Sequence, residues 1–303
     1  MEKLSDIGED ALIDRVTVGL PLGPEVVTGP GDDCAVMQSS DPEVYELLKT
    51  DCLVEGVHFS HGTDPEQVGW KALCRSLSDI AAMAGTPRAA LVTIAVPADH
   101  DVSTVEGWYR GLKKAAEHYG VSIVGGETSS LPENAEIAFL SLMLTGTVPR
   151  DRCLFRHGAK VGDRITVTGR LGGSFVSGRH LDVVPRLREA QWLASAGADR
   201  PTAMMDLSDG LAKDLPRLAK ASGNLGWRID FEAVPCHDDC DVGAAVGDGE
   251  DYELLMTLPS ESADELLKSW ATAFSDLPLT VIGEITESEK TPLTGGWEHF
   301  RKG

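Results

Sequence analysis

The chain has 303 residues, of which 42% are hydrophobic and 25% charged, so it can form one large or two ordinary globular domains. With 48 acidic and 27 basic residues its net charge is −21, which disfavours nucleic acid and anionic lipid as partners. This negative charge favours metal cations or a substrate with a cationic part as ligands; the alternative is that it only keeps the protein soluble. No apolar run could span a membrane and no secretory signal opens the chain, so we expect a cytoplasmic protein without membrane contact.

Taken in chain order, the first half alternates strand-like and helix-like segments. The pattern predicts a strand at 44–54 ("VYELLKTDCLV"), a helix at 68–85 that ends at Gly85, a strand at 88–97, an amphipathic helix at 102–120 closed by Gly120, and strands at 121–127 and 135–149. Strands separated by helices of this length are typical of α/β domains.

A stretch rich in Pro, Gly and charge, "VPRDRCLFRHGAKVGD", interrupts this pattern. After it we predict a strand beginning at 164, a helix at 182–197, a strand that turns into a helix within 202–223, a strand at 251–259, a helix at 262–274 and a strand at 279–285. The sequence therefore predicts two α/β domains, residues 1–148 and 149–303.

Acidic residues recur where the predicted strands leave the core. These acids are the doublet Asp32 and Asp33 in "GPGDDCAV", Asp51, Asp79 (inside a helix of small residues), Glu127, Asp206 and Asp209. Carboxylates that meet in a cleft raise one another's pKa unless a cation binds, and Mg²⁺ prefers oxygen ligands together with substrate phosphates. The pattern favours a magnesium site that holds a nucleotide; the alternative is that each Asp caps a helix or closes a turn.

The familiar nucleotide and nucleophile motifs are missing from the sequence. It contains no P-loop, no dinucleotide-binding glycine motif after a strand, no protein-kinase signature and no G-x-S-x-G. Hydrolase and dehydrogenase functions therefore lose support. If phosphates bind here, metal ions and scattered side chains must hold them.

Six motifs in a fixed order carry a family resemblance: "GDDCAV", "TDCLVEGVHF", "LSDIAAMAG", "GGET", "DLSDGL" and "GEDYELL". They resemble the thiamine-monophosphate kinase family of the aminoimidazole ribonucleotide synthetase superfamily, from about residue 6 to the closing "GWEHF". The resemblance implies an α/β (α+β) fold of two domains. Its N-terminal domain would bind ATP and Mg²⁺ and form the barrel-like core of a homodimer, and its C-terminal domain would be α/β.

The activity implied by this resemblance is phosphorylation of thiamine monophosphate to thiamine diphosphate by ATP, with Mg²⁺ and no assigned catalytic acid or base. The residues that resemble Mg²⁺ ligands are Asp33, Thr50, Asp51, Asp79, Glu127, Asp206 and Asp209. Those that resemble ATP contacts are Tyr109, Gly126, Glu127, Arg156 and Ser208. Those that resemble contacts of the thiamine phosphate are His58, Glu250 and Trp297.

The sequence departs from the family pattern at three places. Glu127 replaces the usual Asp of "GGDT", Lys49 replaces a small residue before "TD", and Asp248 adds an acid in "GDGEDYEL". Two alternatives follow: another ATP-using member of the superfamily, or a non-catalytic nucleotide-binding scaffold with a degraded metal site. Selenophosphate synthetase would show a Cys beside a Lys in an N-terminal glycine-rich loop, and the hydrogenase-maturation dehydratase would end in Cys; neither feature is present.

Overall fold

The computed structural model describes residues 2–132, 135 and 137–300. In the described N-terminal half, six strands form one sheet in the order β1-β2-β3-β6-β4-β5. The elements are α1 (Leu4–Ile7), α2 (Glu9–Thr17), β1 (Val26–Thr28), β2 (Ala35–Gln38), β3 (Val44–Val54), α3 (Pro65–Ala82), β4 (Thr86–Pro97), α4 (Val102–Tyr119), β5 (Ser122–Leu131) and β6 (Phe139–Pro149). All neighbouring strands pair antiparallel except β4 and β5, which are parallel.

Helices α3 and α4 cover one face of this sheet. Helix α3 begins where the Asp64 side chain accepts the Glu66 amide, and Pro65 occupies its first turn. The two helices pack closely because Gly111 has no side chain. A Cβ at that position would lie only 1.9 Å from the carbonyl oxygen of Glu66. The opposite face of the sheet is not covered by any described element, and its outward residues include Leu91 and Met143.

Residues 150–163 connect the first sheet to a second, whose five described strands run in the order β8-β10-β7-β11-β9 and are all antiparallel. Its elements are β7 (Arg164–Thr168), α5 (Ser174–Ser177), α6 (Leu187–Ala194), β8 (Ala203–Asp206), α7 (Leu211–Ala221), β9 (Gly226–Ile229), α8 (Val242–Gly247), β10 (Leu254–Leu258), α9 (Ala263–Ala273) and β11 (Leu279–Thr286). Strand β10, an interior strand of this sheet, is fully buried. Within the described residues, no helix combines the length and apolarity needed to cross a membrane.

The α/β (α+β) fold class is confirmed, and β3 and α4 have the predicted bounds, with Gly120 in the left-handed conformation after α4. Helix α3 ends at Ala82 rather than Gly85, and the helix predicted at 182–197 is shortened to α6. The described strands of one chain form open sheets, so a barrel-like core remains a prediction about the assembled dimer. The domain boundary after residue 148 also remains a prediction.

Candidate active site

Three buried carboxyl groups meet between the two halves of the chain. Asp33 lies just before β2, Asp79 lies in the last turns of α3, and Asp206 is the last residue of β8. One carboxylate oxygen from each lies within 4.8 Å of those of the other two. The fold therefore concentrates three acids that are far apart in the sequence, as the magnesium-site hypothesis requires.

Among the described residues, each of the three carboxyl groups accepts a hydrogen bond from one neighbouring side chain. The Arg156 guanidinium donates to Asp33 Oδ1 at 2.6 Å, and the Ser78 hydroxyl donates to Asp206 Oδ2 at 2.6 Å. The third neighbour is Lys49, whose Nζ lies 2.5 Å from Asp79 Oδ1. Arg156 was predicted as a phosphate contact, whereas Ser78 was not predicted at all.

Burial dominates the electrostatics of the cluster. It raises the pKa of Asp79 and of Asp206, and the neighbouring carboxylates add to the increase. Burial and Asp33 likewise raise the pKa of Asp32. For Lys49 burial opposes the charged form, but the combined attraction of Asp79 and Asp51 outweighs burial and raises the pKa of the ammonium. A cation bound among these acids would favour their ionised forms.

Two buried atoms at the cluster lack hydrogen-bond partners among the described residues: Asp33 Oδ2 and Arg156 Nε. The first is a carboxylate oxygen, the ligand type that Mg²⁺ prefers, and the second is a cationic donor suited to a phosphate oxygen. Buried polar atoms are normally paired, so these two favour a missing ligand. The residues present therefore fit Mg²⁺ and a phosphate group.

Asp51 lies in the interior of β3 and not at its end, so that part of the sequence prediction is wrong. Pairing with β6 continues the strand to Val54, in agreement with the strand bounds predicted at 44–54. The Asp51 carboxylate accepts from Arg75 Nε at 2.8 Å, and Lys49 lies two residues before it on the same face of β3.

Asp209 lies beside the cluster and pairs with Arg217 at 2.5 Å. Its neighbour Asp214, which was not among the predicted site residues, is fully buried and accepts hydrogen bonds from the amides of Ser208 and Asp209 at 3.1 and 3.0 Å. Asp214 thereby fixes the "DLSDG" turn before α7. The signal in the sequence was an acid on the apolar face of that helix.

Two predicted site residues, Thr50 and Tyr109, lie apart from the buried acids. The Thr50 side chain is exposed on the face of β3 opposite Lys49 and Asp51. Tyr109 lies on α4 and is partly buried against the apolar core. Within the described part of the chain, no hydrogen bond or ion pair joins either residue to the buried acids.

Gly126 and Glu127 lie in the exposed interior of edge strand β5, so the prediction that Glu127 ends a strand is also wrong. A Cβ at Gly126 would lie 1.8 Å from the carbonyl oxygen of Val92 in β4, so the close approach of the two strands requires glycine at this position. Three strand spacings separate Gly126 from Asp51 across the register, a distance of about 14 Å. Within one chain, Glu127 therefore does not share an ion with Asp51.

A second polar cluster lies beside the acids and centres on Lys71, a fully buried residue of α3. Its Nζ lies 2.6 Å from the carbonyl oxygen of His58, 2.6 Å from His180 Nδ1 and 2.6 Å from Glu250 Oε2. Burial lowers the pKa of Lys71 to about 8, although Glu250 opposes this. Lys71 and His180 were not predicted from the sequence; the available signal was a lysine at helical spacing from the apolar residues Val68 and Cys74.

The three residues that resemble substrate contacts lie around this second cluster. Burial, followed by the charge of Arg75, lowers the pKa of His58 to about 4, and its Nδ1 accepts from the Val54 amide at 3.0 Å. The His299 ring lies 5.5 Å from His58 and 5.9 Å from Trp297. Trp297 is half exposed, and its amide donates to the Asp209 carbonyl at 2.8 Å.

Comparison with known proteins agrees with this arrangement. Residues 31–148 match the family model of the AIR synthase related protein N-terminal domain, and residues 160–295 match that of the C-terminal domain. The thiamine-monophosphate kinase of Aquifex aeolicus is 32% identical over 98% of this chain and 100% of its own length. The chain belongs to the thiamine-monophosphate kinase family. Membership confirms the resemblance inferred from the motifs.

Other relatives in the thiamine-monophosphate kinase family are similar over nearly the same span. The Escherichia coli K12 protein of that name is 33% identical over 91% of this chain and 92% of its own length. The solved structure of AaThiL complexed with AMPPCP and TMP superposes with a TM-score of 0.82 at 31% identity and covers 99% of both chains. The superposition therefore extends over both sheets of the chain.

Proposed function

We propose that this protein transfers the γ-phosphoryl group of ATP directly to thiamine monophosphate and forms thiamine diphosphate and ADP. The observation that carries the proposal is the buried cluster of Asp33, Asp79 and Asp206 beside the unpaired Arg156 Nε. Family membership and the structure complexed with AMPPCP and TMP support the same reaction. Breaking the β–γ bridging bond and joining the γ-phosphorus to the acceptor phosphate oxygen balances the reaction.

The acceptor chemistry explains why no general base stands out in the sequence or the site. A phosphate monoester is already largely ionised near neutral pH, so its oxygen needs little help to lose a proton. The protein instead has to bring two anions together, which requires positioning and charge neutralisation. Arg156 is a partly buried cation suited to contact the phosphates, and Asp33 fixes its orientation.

We propose that Asp33, Asp79 and Asp206 hold Mg²⁺, with Asp51 and Asp209 at the edges of the site. Mg²⁺ bound there would supply positive charge to the phosphate oxygens. Asp33 Oδ2 is the carboxylate oxygen that is buried and free to accept a ligand. Ser78 keeps Asp206 oriented toward the cluster through its hydrogen bond.

The second cluster is the proposed site for the thiamine moiety. Because its Nδ1 accepts a hydrogen bond and its pKa is low, His58 is neutral and does not repel a cationic thiazolium. The Trp297 ring offers a cation–π surface, and Glu250 adds a carboxylate nearby. These features support thiamine monophosphate as the acceptor.

The working enzyme is proposed to be a homodimer formed through the uncovered face of the first sheet. Leu91 and Met143 are register partners on this face and are 41% and 37% exposed, and Val124 on edge strand β5 is 63% exposed. An exposed apolar sheet face and an exposed edge strand of this kind are typical of surfaces that another protein chain buries. A second copy packed there is the route by which Gly126 and Glu127 would join an active site.

The function is tested by incubating the purified protein with ATP and Mg²⁺, with and without thiamine monophosphate. We expect ADP release that depends on thiamine monophosphate and an equal amount of thiamine diphosphate by chromatography. Asp206→Asn should lower turnover by about 100-fold or more, as expected for loss of a charged group that acts electrostatically in the transition state. Asp264→Asn, in the first turn of surface helix α9, is the matched control and should keep full activity.

ADP release that is indifferent to thiamine monophosphate would contradict the proposed acceptor. Full turnover of Asp206→Asn, or full turnover in excess chelator, would contradict the proposed magnesium site. The dimer is tested separately by light scattering, where Met143→Glu should convert a dimeric mass into a monomeric one. A monomeric mass of the unaltered protein at micromolar concentration would contradict the dimer.

A further inference from the structure

The acidic cluster carries cations of its own. Four carboxyl groups lie side by side with three cationic partners: Asp79 with Lys49, Asp51 with Arg75, and Asp33 with Arg156, while Asp206 has no ion-pair partner among the described residues. With these seven groups ionised, a single negative charge remains in excess, and the adjacent Asp32 adds one more when it is ionised. The carboxylates by themselves therefore offer little uncompensated negative charge to divalent ions, and further ions would depend on the substrate phosphates.

Lys49 is the cation that contacts Asp79, the carboxyl group of the cluster that lies on α3. It lies on the face of β3 that points into the cluster, and its side chain is only 22% exposed. Its Nζ is 2.5 Å from Asp79 Oδ1, an oxygen of one of the three carboxyl groups that meet in the cluster. An ammonium in contact with an oxygen excludes a divalent ion from the same side of that oxygen, because both would need the same space and repel each other.

A second observation shows where a metal ion can still bind. Asp33 Oδ2 is buried and lacks a partner among the described residues, while the other oxygen of that carboxylate is occupied by Arg156. The open ligand position therefore lies on the Asp33 and Asp206 side of the cluster and not at the oxygen of Asp79 that Lys49 contacts.

We propose that Lys49 is a resident cation that takes the place of one divalent ion at Asp79. The site then binds one metal ion fewer than the same cluster would bind without the ammonium. This inference rests on the proposed metal-dependent function, since it concerns how the same carboxylates are neutralised. It assigns Lys49 a charge-compensating role inside the phosphate site rather than a role in packing.

The test counts bound ions directly and does not rely on turnover. Free Mn²⁺ is titrated by electron paramagnetic resonance in the presence of a non-hydrolysable ATP analogue, for the unaltered protein and for Lys49→Met, Lys49→Arg and Lys268→Met. Methionine keeps the length and apolar stem of lysine, and arginine keeps the charge. Lys268, exposed on α9, is the control. We expect one additional Mn²⁺ per chain in Lys49→Met and an unchanged count in the other two variants.

Thermal unfolding of the same proteins, with and without Mn²⁺, supplies a second readout. Lys49→Met should melt lower than the unaltered protein without metal, and Mn²⁺ should raise its melting temperature by more than it raises that of the unaltered protein. Equal, non-zero Mn²⁺ counts in Lys49→Met and the unaltered protein would overturn this inference but leave the proposed function standing. A Lys49→Met protein that stays unfolded in millimolar Mn²⁺ would also overturn it. No bound Mn²⁺ in any of the proteins would overturn the magnesium site as well.

Discussion

Replacing Lys71 with Met tests the buried cluster that joins the two halves of the chain. The substitution conserves side-chain length, so it leaves little cavity, but it removes the ammonium that contacts His58, His180 and Glu250, each at 2.6 Å. Among the described residues, the Glu250 carboxylate then keeps the Tyr252 hydroxyl at 3.0 Å and the more distant His180 Nδ1 at 3.9 Å. The expected effect is a large loss of stability.

The size of this loss follows from the burial of the two partners. Removing one member of a buried ion pair costs about 3–5 kcal/mol, because it leaves an uncompensated charge. The Lys71 side chain is fully buried, whereas that of Glu250 is 17% exposed and regains some hydration. We therefore expect a loss near the lower limit, about 3 kcal/mol, which is roughly a 100-fold shift in the folding equilibrium.

The assay is urea unfolding at pH 7.5, followed by far-ultraviolet circular dichroism, for Lys71→Met, Glu250→Gln and the double variant. The double variant no longer buries an unpaired charge, so it should be more stable than Lys71→Met alone. A loss below about 1 kcal/mol in Lys71→Met, or a double variant less stable than that single variant, would refute the reasoning.

Three further predictions concern single side chains of the site. Asp206→Asn should stabilise the metal-free protein by on the order of 1–3 kcal/mol at pH 8, because burial raises the pKa of Asp206 to about 6 and the ionised carboxylate is unfavourable in the folded protein. A free energy of unfolding no higher than that of the unaltered protein would contradict this prediction. Burial, followed by the charge of Lys71, lowers the pKa of His180 to about 4. As pH falls from about 6.5 the unfolded chain therefore binds this proton first, and the unaltered protein should lose up to about 3 kcal/mol of stability by pH 4 from this group. The His180→Asn variant should lose less stability over the same pH range, and parallel stability curves of the two proteins would exclude this role of His180. Glu127→Asp shortens the side chain by about 1.5 Å and should shift Mg²⁺ activation relative to Mn²⁺ in the kinase assay; superimposable metal titrations of the two proteins would show that Glu127 stays out of the site in the assembly.

Local patterns in the sequence determined much of the fold. The alternation at 44–54 and the amphipathic period at 102–119 predicted β3 and α4, because each pattern is complete within its own segment. The motifs also predicted the family, its reaction and the acids to examine. Short elements such as β1, β2, β9 and the N-terminal helix α2 were not predicted. The reason for α2 is that it buries no residue of its own and docks on α7 through ion pairs such as Lys213 with Glu9.

Only the tertiary structure decided which of these residues meet. Asp33, Asp79 and Asp206 come together because a turn, a helix and a strand end converge from both halves of the chain, and no local spacing encodes that convergence. The same packing places the ammonium of Lys49 against Asp79 and buries Lys71 among acceptors from distant segments. It also places Glu127 on an outer strand, away from the acids. Charge compensation in a buried site depends on distances of a few ångströms between residues remote in sequence, and these distances exist only once the chain has folded.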